Sequence, residues 1–302
     1  MLLLTIWPLF GLICLGFVLS RKGFPDPGFW PAAERFNYFV LFPSLLVASL
    51  VHAPVHDPAV LRLGGATGVT ILLATALLSL GRRLRRAPAA RYGPAVQGVV
   101  RFNTYLGLAI TTALLGTLGV SRAAIVLAVA VPVVNVISIV ALTGAGAARH
   151  PRVLIVTMLR NPLILACILG IALALIGTGL PFGIERFLRL LAQGSLPLGL
   201  LCVGAALQPA ALGRDVLALG GNAALRLLAM PALAAAVAWG FHLDGTEALV
   251  LVIFSAIPTA PTAYVLTRQL GGDGTFMAGL VTLQTVAALV TIPLVLVLAG
   301  VR

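Results

Sequence analysis

The sequence predicts an all-α membrane protein of ten transmembrane helices, arranged as two inverted repeats of five, with helices four and nine broken mid-way. Three observations carry this. The 302 residues are 60% hydrophobic and only 9% charged, with a mean hydropathy of +1.11, whereas a soluble domain carries roughly 25% charged residues. Apolar stretches of about 20 residues, the length that crosses a bilayer as a helix, recur along the whole chain. Two of them are interrupted in matching places, over Arg101-Phe-Asn-Thr-Tyr-Leu-Gly107 and over Ser255-Ala-Ile-Pro-Thr-Ala-Pro261-Thr262.

Taken in order, the first span, 2–20, is apolar from Met1 and followed by Arg21 and Lys22. With no basic segment ahead of it, it reads as a retained span and not a cleaved signal peptide. The second runs over 32–52. The third, 62–81, ends on the densest basic cluster, Arg82, Arg83, Arg85, Arg86 and Arg91. The fourth, 95–117, holds the first interruption, and the fifth, 122–143, holds Pro132 and Asn135. Spans six and seven cover 153–176 and 186–207. The eighth, 215–240, contains Arg226, the ninth, 247–268, holds the second interruption, and the tenth is 274–299. The connections are short, which leaves no separate soluble domain. Cys14, Cys167 and Cys202 lie inside apolar runs with neither disulfide nor metal-ligand spacing and read as packing residues.

The net charge of +12 belongs to the connections. The basic cluster has no interleaved aromatics, so nucleic-acid binding is not expected. Loops one–two, three–four, five–six, seven–eight and nine–ten hold eleven Lys and Arg residues against five on the other side. Cytoplasmic loops collect these residues, so both termini are expected outside the cell membrane.

Five spans per half is an odd number, so a duplicated half must enter the membrane with opposite polarity. The expected units are a first repeat over 1–143, a connecting loop over 144–152 and a second repeat over 153–302. A shift of 154 residues pairs Pro8 with Pro162, Pro27 with Pro181 and Pro43 with Pro197. The same shift carries Thr104 onto Pro258 and Gly107 onto Pro261, superposing the two interruptions without a gap.

A break in a membrane helix is tolerated only where it is buried in protein or lines a cavity, and paired breaks in two halves point to a transporter's binding site. Half-helix N-termini meeting at mid-membrane present free N–H groups and positive dipole ends that suit a carboxylate. Carbonyls freed by Pro258 and Pro261 suit a cation or a hydroxyl. The small residues Gly107, Thr259 and Thr262 let the two segments approach. Asn103 abuts the first break and is assigned to ligand binding; Asn135 is placed to face the same cavity. Gln193 and Gln284 read as interhelical hydrogen-bonding groups. Arg101 and Arg226 fall inside spans, where each either snorkels to the interface or pairs with an anionic substrate. The acidic residues and histidines fall in loops or near span ends, so no carboxylate relay is expected at mid-membrane. Coupling then falls to protonation of the substrate itself or to the membrane potential. No hydrolase constellation is present at depth: no His-Glu-x-x-His, no paired membrane aspartates and no Ser/His pair. An enzyme, a catalytic residue, a metal site and a cofactor are therefore not expected.

Over nearly its whole length the chain resembles bacterial members of the auxin efflux carrier family, relatives of the plant PIN carriers. The residues that carry the resemblance are Phe42-Pro-Ser-Leu-Leu, Asn103-Thr-Tyr-Leu-Gly107, Asn161-Pro-Leu-Ile, Leu196-Pro-Leu-Gly-Leu, Arg226-Leu-Leu-Ala-Met-Pro231, Pro258-Thr-Ala-Pro-Thr-Ala-Tyr264 and Thr291-Ile-Pro-Leu294. The resemblance implies two inverted five-helix repeats. Spans 1, 2, 6 and 7 form a scaffold, and spans 3–5 and 8–10 form a moving transport domain. It further implies a small organic anion as substrate, such as malate, malonate or an indole acid, and a homodimer through the scaffold. In the family, span four often continues Gly-x-Pro after the Asn motif. Here that position is Ala109, so the first crossover is expected to rest on Gly107 alone. The expected substrate-binding set is Asn103, Thr104, Gly107, Asn135, Pro258, Thr259, Pro261 and Thr262. The alternatives are a sodium-coupled symporter of the bile-acid type and a non-transporting membrane sensor or assembly subunit.

Overall fold

A computed structural model describes residues 2–53, 57–84, 89–143, 161–177, 179–181, 183–213 and 215–301. The expected loop 144–152 and the first residues of the expected sixth span, 153–160, lie outside them, as do Arg85 and Arg86 of the basic cluster. The described residues are helical, with turns between and no strand. Long apolar runs leave backbone groups no partner but their own helix.

Helix α1 is Leu2–Arg21. Helix α2 runs as Phe29–Phe36, a π turn over Asn37–Leu41 and Phe42–Leu50, and α3 is Pro58–Leu84. Helix α4 is broken: α4a is Ala89–Val100, residues 101–103 are not helical, and the chain resumes in Thr104–Thr143. That stretch turns at Gly116 (φ 58°, ψ −144°), a conformation open to glycine alone. It therefore comprises α4b, 104–115, and α5, 117–143. Helix α6 is Pro162–Ile176, α7 is Ile184–Ala205, and α8 runs as Val216–Ala224, a π turn over Leu225–Ala229 and Met230–Gly240. Helix α9 is again broken, into α9a, Gly245–Ala256, and α9b, Thr262–Gln269, and α10 is Gly274–Leu298. Among the described residues, six stretches are long and apolar enough to cross a membrane. Many large apolar side chains face outward, such as Trp7, Leu77 and Leu217, as on a multi-pass membrane protein.

The helices pack in two groups. Helices α1, α2, α6 and α7 pack on one another, and α3, α4, α5, α8, α9 and α10 form the second group. In the first group, α1 and α7 touch backbone to backbone: a Cβ on Gly16 would fall 2.0 Å from the Leu201 carbonyl oxygen, and one on Gly204 would fall 1.8 Å from that of Ile13. Glycine is required at both. The first group meets the second mainly along α4b and α5.

The first break differs from the sequence expectation. It lies at residues 101–103, upstream of Gly107, and Gly107 is helical. Asn103 makes the break. Its Oδ1 accepts from the Leu106 N–H at 3.2 Å and its carbonyl from the Gly107 N–H at 3.0 Å, the geometry of a helix N-cap. Gly107 serves instead as a contact: a Cβ there would lie 2.8 Å from Ile257 Cδ1 and 2.9 Å from Phe254 Cε1.

Candidate functional site

The two breaks touch. The Asn103 N–H donates to the Pro258 carbonyl at 2.8 Å, and the Phe102 and Phe254 rings stack edge to face at 5.6 Å. Each break leaves carbonyls at the end of one half-helix and N–H groups at the start of the next. These two sets meet different fates.

The carbonyl ends are capped by side chains. Arg226 donates through Nε to Ile257 O (2.6 Å), through Nη1 to Val99 O (2.8 Å) and through Nη2 to Phe254 O (2.7 Å). Gln284 Nε2 donates to Gly98 O at 2.9 Å and to Asn222 Oδ1 at 3.0 Å, while its Oε1 accepts the Thr259 N–H at 2.9 Å. Thr259 Oγ1 donates to Gln97 O at 3.2 Å. One guanidinium thus holds the end of α4a and the end of α9a together. Hydrogen bonds from a charged donor contribute about 1.5–3 kcal/mol each, and three buried carbonyls would otherwise stay unpaired.

Two sequence expectations are corrected here. Arg226 does not snorkel: it is 1% exposed, because backbone carbonyls inside the protein supply what the interface would. The carbonyls freed by Pro258 and Pro261, those of Phe254 and Ile257 four residues earlier, are not open to a cation or hydroxyl, because both accept from Arg226.

The N-terminal ends open on a cleft of about 610 Å³, its open mouth included. Residues 102–105, at the start of α4b, and 260–262, at the start of α9b, form one wall. The first-turn N–H groups of a helix have no intrahelical partner, and two such ends converge on this space. Arg101 lines it, with Nη1 3.4 Å from Asn135 Oδ1 and Nη2 3.4 Å from Thr262 Oγ1. Asn103 is 1% exposed, and its Nδ2, buried, has no partner among the described residues. A cation, an unsatisfied amide donor and two positive helix ends in one cleft are suited to an anion.

Of the predicted residues, Arg101, Asn103, Thr104, Asn135, Pro261 and Thr262 line this cleft. Gly107, Pro258, Thr259 and Arg226 do not; they lie in or against the crossing that supports it. Sequence reasoning missed Glu34, Tyr38, Tyr105 and Asn161 in the lining. Glu34 corrects the expectation that no acidic group reaches the site. It was assigned to a span end, yet it sits one helical turn before Tyr38 on the same face of α2. Asn161 carried a readable signal: an Asn directly before Pro162 is an N-cap, and its Oδ1 accepts from Leu163 N–H at 2.9 Å.

Along the same seam between the two helix groups lies a second, wider opening of about 1630 Å³, its mouth again included. It is lined by Ala109 and Thr112 of α4b and by Gly116 at the turn that follows, facing Leu12 of α1, Leu45 of α2 and Leu196 of α7.

The chain is 26% identical over 277 residues to a protein of Rhizobium meliloti (strain 1021) named "Putative malonate transporter", covering 87% of this chain and 85% of that one. The family model described as membrane transport protein matches residues 1–296. The chain is a transporter and not an enzyme, and it belongs to the membrane transport protein family, that of the auxin efflux carriers.

Proposed function

We propose that this transporter is a secondary carrier that moves small organic anions, carboxylates in particular, across the cytoplasmic membrane by alternating access. The observation that carries the reading is the division of labour at the crossing. Arg226, Gln284 and Thr259 occupy the carbonyls, so what the crossing itself offers the cleft is donors: Arg101, the Asn103 amide and two helix N-termini. The binding set is Arg101, Asn103, Thr104, Asn135, Pro261 and Thr262, with Gly107, Pro258, Thr259 and Arg226 holding its shape. Malonate, in the name of the Rhizobium relative, is a small carboxylate of this class.

The mechanism rests on the seam. The cleft lies at the start of α4b and the wider opening along its other half, as expected if each side of the membrane is served in turn. Helices α1, α2, α6 and α7 form the scaffold, and the other six carry the site. Ion clusters favour the six moving as one body. Arg122 of α5 pairs with Glu247 of α9a (2.6 Å) and with Asp57 before α3 (3.2 Å). Arg91 of α4a pairs with Asp215 before α8 (2.8 Å) and with Asp273 before α10 (3.1 Å). The starts of helices 3, 5 and 9 and of helices 8, 10 and 4 correspond under an exchange of halves. That correspondence supports ten spans in two inverted repeats, 1–143 and 153–302 around the loop 144–152. The basic loops place both termini outside, and the scaffold face is the expected homodimer surface.

The test is uptake by purified protein in liposomes, with radiolabelled malonate and a panel of mono- and dicarboxylates. The expected result is saturable flux of at least one carboxylate, abolished by Arg101→Ala at equal membrane levels. Binding without flux would instead favour a sensor or assembly subunit.

A further inference from the structure

Glu34 is out of place in an anion site. It shares the cleft with Arg101, and among the described residues no hydrogen bond or ion pair holds its carboxylate. The other titratable groups around it are Tyr38 one turn along α2, Arg101 at the first break, Tyr105 on α4b and Cys202 on α7, with Arg35 beside it turned outward and exposed. Asn161, at the start of α6, is polar but does not titrate. Among the described residues, Arg101 is therefore the one cation in the lining, and Glu34 the one acid.

With the cleft empty, one carboxylate, Glu34, and one guanidinium, Arg101, line it with no ion pair between them. An entering anion changes this. Two negative groups then share one cation in a poorly solvated space, and like charges in one site force one of them to take a proton. The proton is assigned to Glu34, which α2 holds in the cleft and whose carboxylate has no ion-pair or hydrogen-bond partner among the described residues. Arg226 carries the same charge in both forms and drops out of the comparison.

We propose that Glu34 takes up a proton when the cleft binds an anion, because the anion and the Glu34 carboxylate are like charges brought into one cleft. This rests on the anion-carrier reading and adds a proton-binding group to it. The proton comes from the aqueous phase to which the cleft is open and adds to a Glu34 carboxylate oxygen; no other bond forms or breaks. Binding and protonation favour each other equally. Anion affinity therefore falls as pH rises above the range where Glu34 is protonated, by about tenfold per unit.

The experiment is calorimetric titration of malonate into the purified full chain at pH 7 to 8.5, where malonate stays fully ionised, in two buffers of different ionisation enthalpy. The difference between buffers counts protons. The expected result is close to one proton taken up per malonate bound, falling to near zero in Glu34→Gln, whose affinity no longer depends on pH. Glu34→Asp keeps the proton count, as does Glu185→Gln, which removes a carboxylate outside the cleft. Binding without proton uptake by the unaltered protein overturns the proposal. So does proton uptake that survives in Glu34→Gln, since the ligand's own carboxyl then holds the proton. If Glu34→Gln does not fold, the pH slope of the unaltered protein and of Glu34→Asp decides: no slope in either overturns it. If no carboxylate in a panel of malonate, succinate and pyruvate binds at all, the anion-carrier reading fails and this inference with it.

Discussion

The break at residues 101–103 contains no proline, whereas the break at 257–261 contains two, Pro258 and Pro261. The first is opened by a side chain: Asn103 caps α4b and ends the helical run that precedes it. The second is opened by the backbone, since each proline removes an N–H and clashes with the turn before it. The difference extends to their roles. The first break puts Arg101 and the Asn103 amide into the cleft, while the second contributes mainly the start of α9b and Thr262. Under the proposed function, one crossing segment carries recognition and the other carries shape. Both depend on Arg226, which lies on neither and donates to the ends of both.

Substitutions grade this comparison. The largest effect is expected from Arg226→Met, which strips three buried carbonyls of their donor. Each unsatisfied group costs about 1–3 kcal/mol, so the folded yield and melting temperature in detergent should collapse. Arg226→Lys should rescue little, because a compact ammonium cannot span the three acceptors. A stable, active Arg226→Met protein would show that the breaks hold themselves open. Next is Asn103→Ala. Loss of the cap costs about 1 kcal/mol, so the protein should remain folded. Uptake at equal membrane levels should nonetheless fall at least tenfold, through loss of the cleft's free amide. Equal losses of flux and of folded protein would reduce Asn103 to a cap alone.

Gly107→Val comes third. Its side chain would press on Ile257 and Phe254, and overpacking of this kind costs about 1–3 kcal/mol; the melting temperature should drop, with flux falling alongside. Pro258→Ala is expected to act more weakly, lowering uptake severalfold with the fold retained, since Arg226 and Gln284 still hold the segment. If Pro258→Ala were more damaging than Asn103→Ala, the assignment of recognition to the first break would be reversed. The smallest effect is expected from ion replacement. With the carbonyls at the crossing already occupied by Arg226 and Gln284, exchanging external sodium for potassium should leave the flux unchanged. A strict sodium requirement would restore the bile-acid-type alternative.

Much of the fold was legible in the chain. Hydropathy alone located the helices to within a few residues at most ends, because a lipid-facing helix must be apolar along its length. The second break was legible because proline has a local effect. The first was misplaced onto Gly107, since an Asn reads as a cap only once a nearby N–H is known to reach it. Arg226 and Glu34 were misjudged for one reason. Depth along a helix was read as environment, whereas a polar side chain responds to whatever neighbouring segment faces it.

The sequence by itself determined an apolar helical membrane protein with two interrupted helices and the family to which it belongs. Those properties follow from local composition and from short motifs. The tertiary structure decided which interrupted groups remained available: it brought Arg226 and Gln284 to the carbonyls and left Arg101, Glu34 and the Asn103 amide to the cleft. The physical reason is that hydrogen-bond satisfaction at a crossing depends on residues more than a hundred positions apart, Val99 and Arg226 among them. No local pattern records which of them will meet.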